Sequence, residues 1–198
     1  MRFVGPPFTF GFEQVGTNCG LIGINAAVEV DGTAYWLSEN GFFRYAGNLE
    51  SMICLVEDYV FEDINLTATS LINAGVNNLF GEITWFYCTG SSEVVNRCVT
   101  YNYNESTPQR PIWTTGSLAR TAWVDSAVFG KPHAVAYNIT DNASYDVIGN
   151  TEGSSIYYEH ETGTDEVNTS GVTAITSNIQ SGDFDITSQG QGSFDLRG

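Results

Sequence analysis

Apolar and polar positions alternate most regularly between Phe80 and Trp123 (FGEITWFYCTGSSEVVNRCVTYNYNESTPQRPIWTTGSLARTAW). Successive side chains on a strand point to opposite faces, so an apolar residue at every second position marks a sheet with a buried face. Gly, Ser, Asn and Pro gather between the runs, where the chain must turn. The stretch predicts an antiparallel meander of three strands: Glu82–Cys88, Arg97–Tyr103 and Ile112–Trp123, the last interrupted near Gly116 and Ser117. A second meander is predicted upstream. It runs through Ala26–Val30, a two-residue Asp31-Gly32 turn, Thr33–Leu37, a turn over Ser38–Gly41, and a short strand Phe42–Tyr45 closed by Gly47. Further along, His133–Asn138 reads as a strand, Asn142–Tyr145 and Gly153–Glu161 as weaker ones. Val172–Asp185 reads as the last strands, with Ile175, Ile179, Phe184 and Ile186 as apolar positions.

One segment has helical spacing. In Leu55–Ile64 (LVEDYVFEDI), Leu55, Tyr59 and Ile64 fall on one side, widened by Val56, Val60 and Phe61, with Glu57, Asp58, Glu62 and Asp63 opposite. Paired carboxylates are also the machinery of glycosidases. On a short amphipathic helix they read more simply as its solvated face. Leu66–Val76 continues as loop or ragged helix, and Met1–Phe12 as the end of a loop feeding a strand. Gly16–Gly23 (GTNCGLIG) is a bend whose glycines permit positive φ. With no GK[ST], no basic neighbour and no helical pattern after it, it is not a phosphate cradle.

Short strands, frequent turns and almost no helix define an all-β chain: a sandwich, a barrel or a propeller. Aromatic-bearing units near Trp36, Trp85–Trp123 and Tyr157–Tyr158 recur only loosely, and periodicity alone establishes no repeat. A meander with a small-residue innermost strand favours the propeller. The expected architecture is a partial β-propeller with one short helix near residues 55–65, blades in 1–137 and an acidic β-rich continuation in 138–198.

Charge narrows the function. Among 198 residues, 23 are acidic and 7 are Lys or Arg, a net charge of −16. Binding nucleic acid by neutralising phosphates needs Lys and Arg to release counterions, so that class is excluded. The negative charge serves either solubility or repulsion of a polyanion moving past. It is uneven: 13 acidic and 6 basic residues precede Asn138, and 10 acidic and 1 basic follow from it.

Cys19, Cys54, Cys88 and Cys98 form no CxxC pair, and His133 and His160 have no partner at metal-ligand spacing. Cys88 and Cys98 flank the central hairpin turn, where a cross-strand disulfide and a pair of buried thiols both fit. Buried thiols are favoured, because free Cys behaves as a small hydrophobe. No catalytic, cofactor-binding or metal-binding residue is assigned. Two prolines in Met1–Pro7 interrupt any signal-peptide core, and no apolar run reaches the length of a membrane span, which predicts a soluble protein made in a cytoplasm. Five Asn-x-Ser/Thr sequons, at Asn65, Asn104, Asn138, Asn142 and Asn168, stand against ~3 expected by chance in so Asn-, Ser- and Thr-rich a chain, and carry no signal.

Taken in order, GTNCGLIG (Gly16–Gly23), DGTAYWLSENGFFRY (Asp31–Tyr45), VEDYVFEDIN (Val56–Asn65), LFGEITWFYC (Leu79–Cys88), VTYNYNES (Val99–Ser106) and IWTTGSLARTAWVDS (Ile112–Ser126) resemble the tail nozzle proteins of short-tailed bacteriophages, also described as packaged-DNA stabilisation proteins. The resemblance covers about Gly16–Gly182, and SGDFDI (Ser181–Ile186) is consistent with it. It implies a β-propeller with added domains, assembled as a ring of copies, a hexamer, below the portal and adaptor of the tail. The lumen is then the path of DNA, which passes without specific binding, and the chain belongs to the virion tail after assembly in the host cytoplasm. The family supplies no cofactor and no catalytic residue. Trp36, Trp85, Trp113 and Trp123 carry over as packing positions.

Members of that family are considerably longer. At ~40–45 residues per four-stranded blade the chain could build about four blades. A propeller cut through leaves open sheet edges, so either the sequence is a fragment, the preferred reading, or partner chains complete it. The alternative function is a carbohydrate-binding or carbohydrate-active propeller. Sialidase-like Ser-x-Asp-x-Gly-x-Thr-Trp turns are its usual mark, and the nearest stretch, Ser106–Trp113, lacks the Asp and the Gly. A third reading, an extracellular adhesion domain, rests on the sequons and on a Cys88–Cys98 disulfide.

Overall fold

A computed structural model describes residues 2–3, 5–7, 10–11, 13–125, 128–137, 155–168 and 171–174. In chain order the strands are β1 (Arg2–Phe3), β2 (Phe10–Gly11), β3 (Ala27–Val30), β4 (Thr33–Ser38), β5 (Gly41–Tyr45) and β6 (Leu49–Ser51). Helix α1 (Glu57–Phe61) and a 3-10 helix (Leu66–Leu71) follow. Then come β7 (Asn73–Asn77), β8 (Glu82–Tyr87), β9 (Arg97–Asn102), β10 (Trp113–Gly116), β11 (Ala122–Val124), β12 (His133–Tyr137), β13 (Ser155–Glu159), β14 (Asp165–Asn168) and β15 (Gly171–Ala174). The chain is all-β, and every strand pairing within its sheets is antiparallel.

The strands form meanders in sequence order: β3-β4-β5-β6, then β7-β8-β9-β10, then β11-β12-β13. Hairpins β1-β2 and β14-β15 stand apart from them. Among the described residues no closed barrel or closed ring of sheets is formed. The third meander pairs β12 with β13 across residue 137, the expected division of the chain.

The first strands of the three meanders lie side by side. Asn25 and Asn73 form a parallel bridge, Ala74 donates its N–H to Asn25 O at 2.9 Å, and β7 in turn packs against β11. Placed together, they reveal a repeat. Ile24-Asn25-Ala26-Ala27-Val28, Ile72-Asn73-Ala74-Gly75-Val76 and Arg120-Thr121-Ala122-Trp123-Val124 begin 48 residues apart, and the same interval from Val124 reaches Val172 in β15. The glycines that close the first hairpin of each unit, Gly32, Gly81 and Gly130, are 49 apart and all have positive φ (81°, 69° and 73°). Asp31 shares the left-handed conformation with Gly32 (φ 49°), as the predicted two-residue turn requires.

Period-two alternation puts the second meander between two cores. Ile83, Trp85 and Tyr87 of β8 point one way, into a core with Tyr35, Leu37 and Phe42 of the first meander, Val60 of α1, and Val99, Tyr101 and Trp113. Phe86 and Cys88 point the other way, into a second core with Ala68, Val95, Cys98 and Ala119, against which Leu118 and Trp123 pack. A sheet covered on both faces reads as a nearly continuous apolar run, which explains ITWFYC.

Several expectations are corrected. The central meander has four strands, not three: β7 precedes it, where loop or ragged helix was expected. The single strand Ile112–Trp123 is two strands in different sheets, since β10 ends at Gly116 and Trp123 belongs to β11. The first meander gains β6. Helix α1 is five residues long rather than ten, because Ile64 bridges to Thr89 and the N–H of Asn65 is held by Cys88 O at 2.8 Å. Its buried residue is Val60, while Leu55 and Tyr59, expected to face the core, are exposed. The glycines of Gly16–Gly23 do not serve positive φ. A Cβ on Gly16 would meet Leu49 Cδ2 at 2.1 Å, and one on Gly23 would meet Thr69 O at 2.2 Å, so both permit close approach. The Asn142–Tyr145 strand and the apolar positions Ile175, Ile179, Phe184 and Ile186 lie outside the described residues.

Candidate functional site

Each of the four tryptophans donates its indole N–H to a backbone carbonyl earlier in the chain. Trp36 donates to Cys19 O (2.8 Å), Trp85 to Ala26 O (3.0 Å), Trp113 to Ile53 O (2.8 Å) and Trp123 to Val76 O (2.7 Å). Two of these bonds cross to the meander before: Trp85 reaches the residue just ahead of β3, and Trp123 reaches β7. A large ring with one polar handle suits such a joint, because the ring fills the seam while the N–H satisfies a carbonyl the seam would bury. Trp85 and Trp113 stack with ring centres 6.1 Å apart, and Phe42 packs on both. Trp85, Trp113 and Trp123 pack at the seams between sheets, while Trp36 stacks on Phe43 of its own sheet.

The second seam also holds a buried cation. Arg120 is 5% exposed; its Nε donates to His160 Nε2 at 3.0 Å and its Nη1 to Ala119 O at 2.7 Å. Its guanidinium lies 3.9 Å from the centre of the Tyr158 ring, and His160 packs on Trp123. A ring nitrogen that accepts from a guanidinium has its lone pair occupied and cannot also bind a proton. Burial first, then the charges of Arg120 and His133, hold the His160 imidazole down to about 4.

The other residues singled out by sequence do not converge. Asp58, Glu62 and Asp63 on and beside α1 are exposed, and Glu57 is half-buried beside Gly41. Among the described residues no three His, Cys, Asp or Glu side chains gather at metal-binding distance. All four cysteines are thiols; Cys88 and Cys98 are buried, and burial pushes both up and Cys54 up to about 12.

Two clefts open between the meanders. One, of about 150 Å³, has Arg44, Glu50, Tyr101 and Pro108 among its walls. Its charges close on each other: Arg44 pairs with Glu50 at 2.5 Å, which holds the Glu50 carboxyl below its ordinary value. The other, of about 400 Å³, lies where the first strands begin and is walled by Asn25, Asn73, Thr121, Ser70 and Glu93 with Leu71 and Val95. Asn25, Asn73 and Thr121 are the second residues of the three repeats. Asn73 is buried; its Nδ2 donates to Arg120 O at 2.8 Å, while its Oδ1 has no hydrogen-bond partner. A buried amide oxygen left unpaired costs about 1–3 kcal/mol, so it marks a place where a donor is wanted. Sequence reasoning missed this cleft, and the signal that finds it is the 48-residue recurrence of Ile-Asn-Ala-x-Val.

Comparison with protein-family models and with curated proteins finds no match for this chain.

Proposed function

We propose that the meanders are blades of a partial β-propeller, and that the chain is a structural component of a phage tail. In this reading it contributes to the distal nozzle ring that retains packaged DNA and lets it pass at ejection. The observation that carries the reading is the repeating unit. A period of 48 residues suits a four-stranded blade, and first strands that abut in order, with small residues such as Ala27 and Gly75, suit strands nearest an axis. The order of motifs resembling tail nozzle proteins supplies the biological half of the proposal.

The chemistry agrees with a wall. All four indoles are committed to internal carbonyls, and the residues that look most like an active site belong to a helix surface and a packed seam. The net charge of −16 suits a conduit, because a negative lumen repels the DNA backbone and lets it slide. Copies of the chain form the ring, a hexamer by the family resemblance, below tail adaptor proteins. Electron microscopy of assembled tails tests this: density for the chain is expected in a ring at the distal tail, and density anywhere else overturns it.

A further inference from the structure

We infer that the cleft at the starts of β3, β7 and β11 is a binding site for a neutral polyhydroxylated ligand, a saccharide unit. Equivalent positions of three successive repeats, Asn25, Asn73 and Thr121, converge on this one cleft. A seam built only for packing would be closed by apolar side chains, as the Trp85 seam is. Here the described lining is mixed: amide, hydroxyl and carboxylate groups stand beside Leu71, Val94, Val95 and the Tyr137 ring.

The wall chemistry selects the ligand class. Among the described residues no Lys or Arg side chain lines the cleft, and the chain's net charge is −16, so phosphates, nucleotides and carboxylates are disfavoured. Glu93 is the one carboxylate in the lining among the described residues, too few for a divalent cation that takes six or more oxygens. What remains is a neutral molecule that both donates and accepts hydrogen bonds. Sugar hydroxyls do both: they can donate to Glu93, and accept from the Asn25 amide and Ser70, while a C–H face rests on Leu71 and Val95. The volume of about 400 Å³ lies within the range of small-molecule pockets.

Saturation-transfer NMR on the whole chain tests the site, with methyl glucoside, N-acetylglucosamine and lactose as probes. At least one is expected to bind with a Kd on the order of 1 mM. Ser70→Phe, at an exposed position on the rim, is expected to block the cleft and abolish the transfer with the thermal melt unchanged. Glu93→Gln, also exposed, is expected to weaken binding about fivefold or more, and it carries the test if Ser70→Phe disturbs the fold. No transfer from any probe to the unaltered chain overturns the inference, as does transfer that persists unchanged in both variants. Neither result bears on where the chain sits in a tail, so this proposal and the nozzle reading fail independently.

Discussion

At the scale of single residues, the contact between Gly75 and Trp123 shows how one position can fix a seam. Gly75 has no positive φ; it is glycine because the Trp123 ring lies where a side chain would be. A Cβ there would stand 2.3 Å from Trp123 Cγ and 2.5 Å from Cδ1, closer than atoms approach without displacing the ring. Displacing it would also strain the indole bond to Val76 O and the contact with Phe86, 5.7 Å between ring centres. Gly75→Ala is therefore expected to destabilise the fold by about 2–3 kcal/mol, the ordinary cost of overpacking. In a Trp123→Ala background most of that penalty should vanish, because the nearest atoms are gone. Chemical denaturation of the four proteins gives the coupling directly. An equal penalty in both backgrounds would show that Gly75 is required for some reason other than the ring.

At the scale of elements, the third meander is held to the second by Arg120, His160 and Trp123, and this joint should respond to pH. Folded, His160 stays neutral down to about 4; unfolded, its ordinary value is near 6.5. The unfolded chain therefore binds the extra proton first, and stability present at pH 7 is lost as pH falls from about 6.5 to about 4. Because the ring is partly in contact with solvent, the loss is about 1–2 kcal/mol. Glu82 works in the opposite direction: burial, then the charges of Glu161 and Glu105, raise its carboxyl, so the folded state gains a proton early as pH falls. Comparing His160→Gln with the unaltered chain separates the two. The variant should lose about 1–2 kcal/mol less between pH 7 and pH 4, and identical pH profiles would refute the assignment. The sequence made these elements only partly legible. Period-two alternation located β4, β5, β8 and β9 to within a residue or so, because each carries an alternating or continuous apolar run between clear turns. It missed β7, whose NAGVN has one branched apolar residue and takes its stability from neighbours on both sides, Asn25 and β8. It also merged β10 with β11, since Trp113 and Trp123 look alike in sequence and differ only in which sheet receives them. Framing the units on aromatic residues hid the repeat. Ala26, Ala74 and Ala122 keep the 48-residue register throughout, whereas at the next position Ala27 and Gly75 give way to Trp123.

At the scale of the whole molecule, charge is the property that sequence stated most completely, and the fold adds where it concentrates. The first hairpin of the second meander ends among carboxylates. Glu82 feels Glu161 and Glu105, Tyr103 feels Asp31 and Asp125, Asn77 Nδ2 donates to Glu161 Oε1 at 2.9 Å, and Asn78 N–H donates to Asp125 Oδ2 at 2.6 Å. Folding thus gathers like charges that the extended chain holds apart, and their repulsion opposes the compact state. Raising salt from about 10 mM to about 150 mM shortens the screening length from about 30 Å to about 8 Å, so charges on neighbouring meanders cease to repel across water. The unfolding temperature is expected to rise over that range, by about 2–4 °C if the relief amounts to roughly 1 kcal/mol. Glu82→Gln, which removes the charge nearest the centre of the cluster, should raise the low-salt value and flatten the response. A melting temperature that is constant or falls with added KCl would mean that the hydrogen bonds from Asn77 and Asn78 already neutralise this end, and that the −16 acts on partners outside the chain rather than on its own stability.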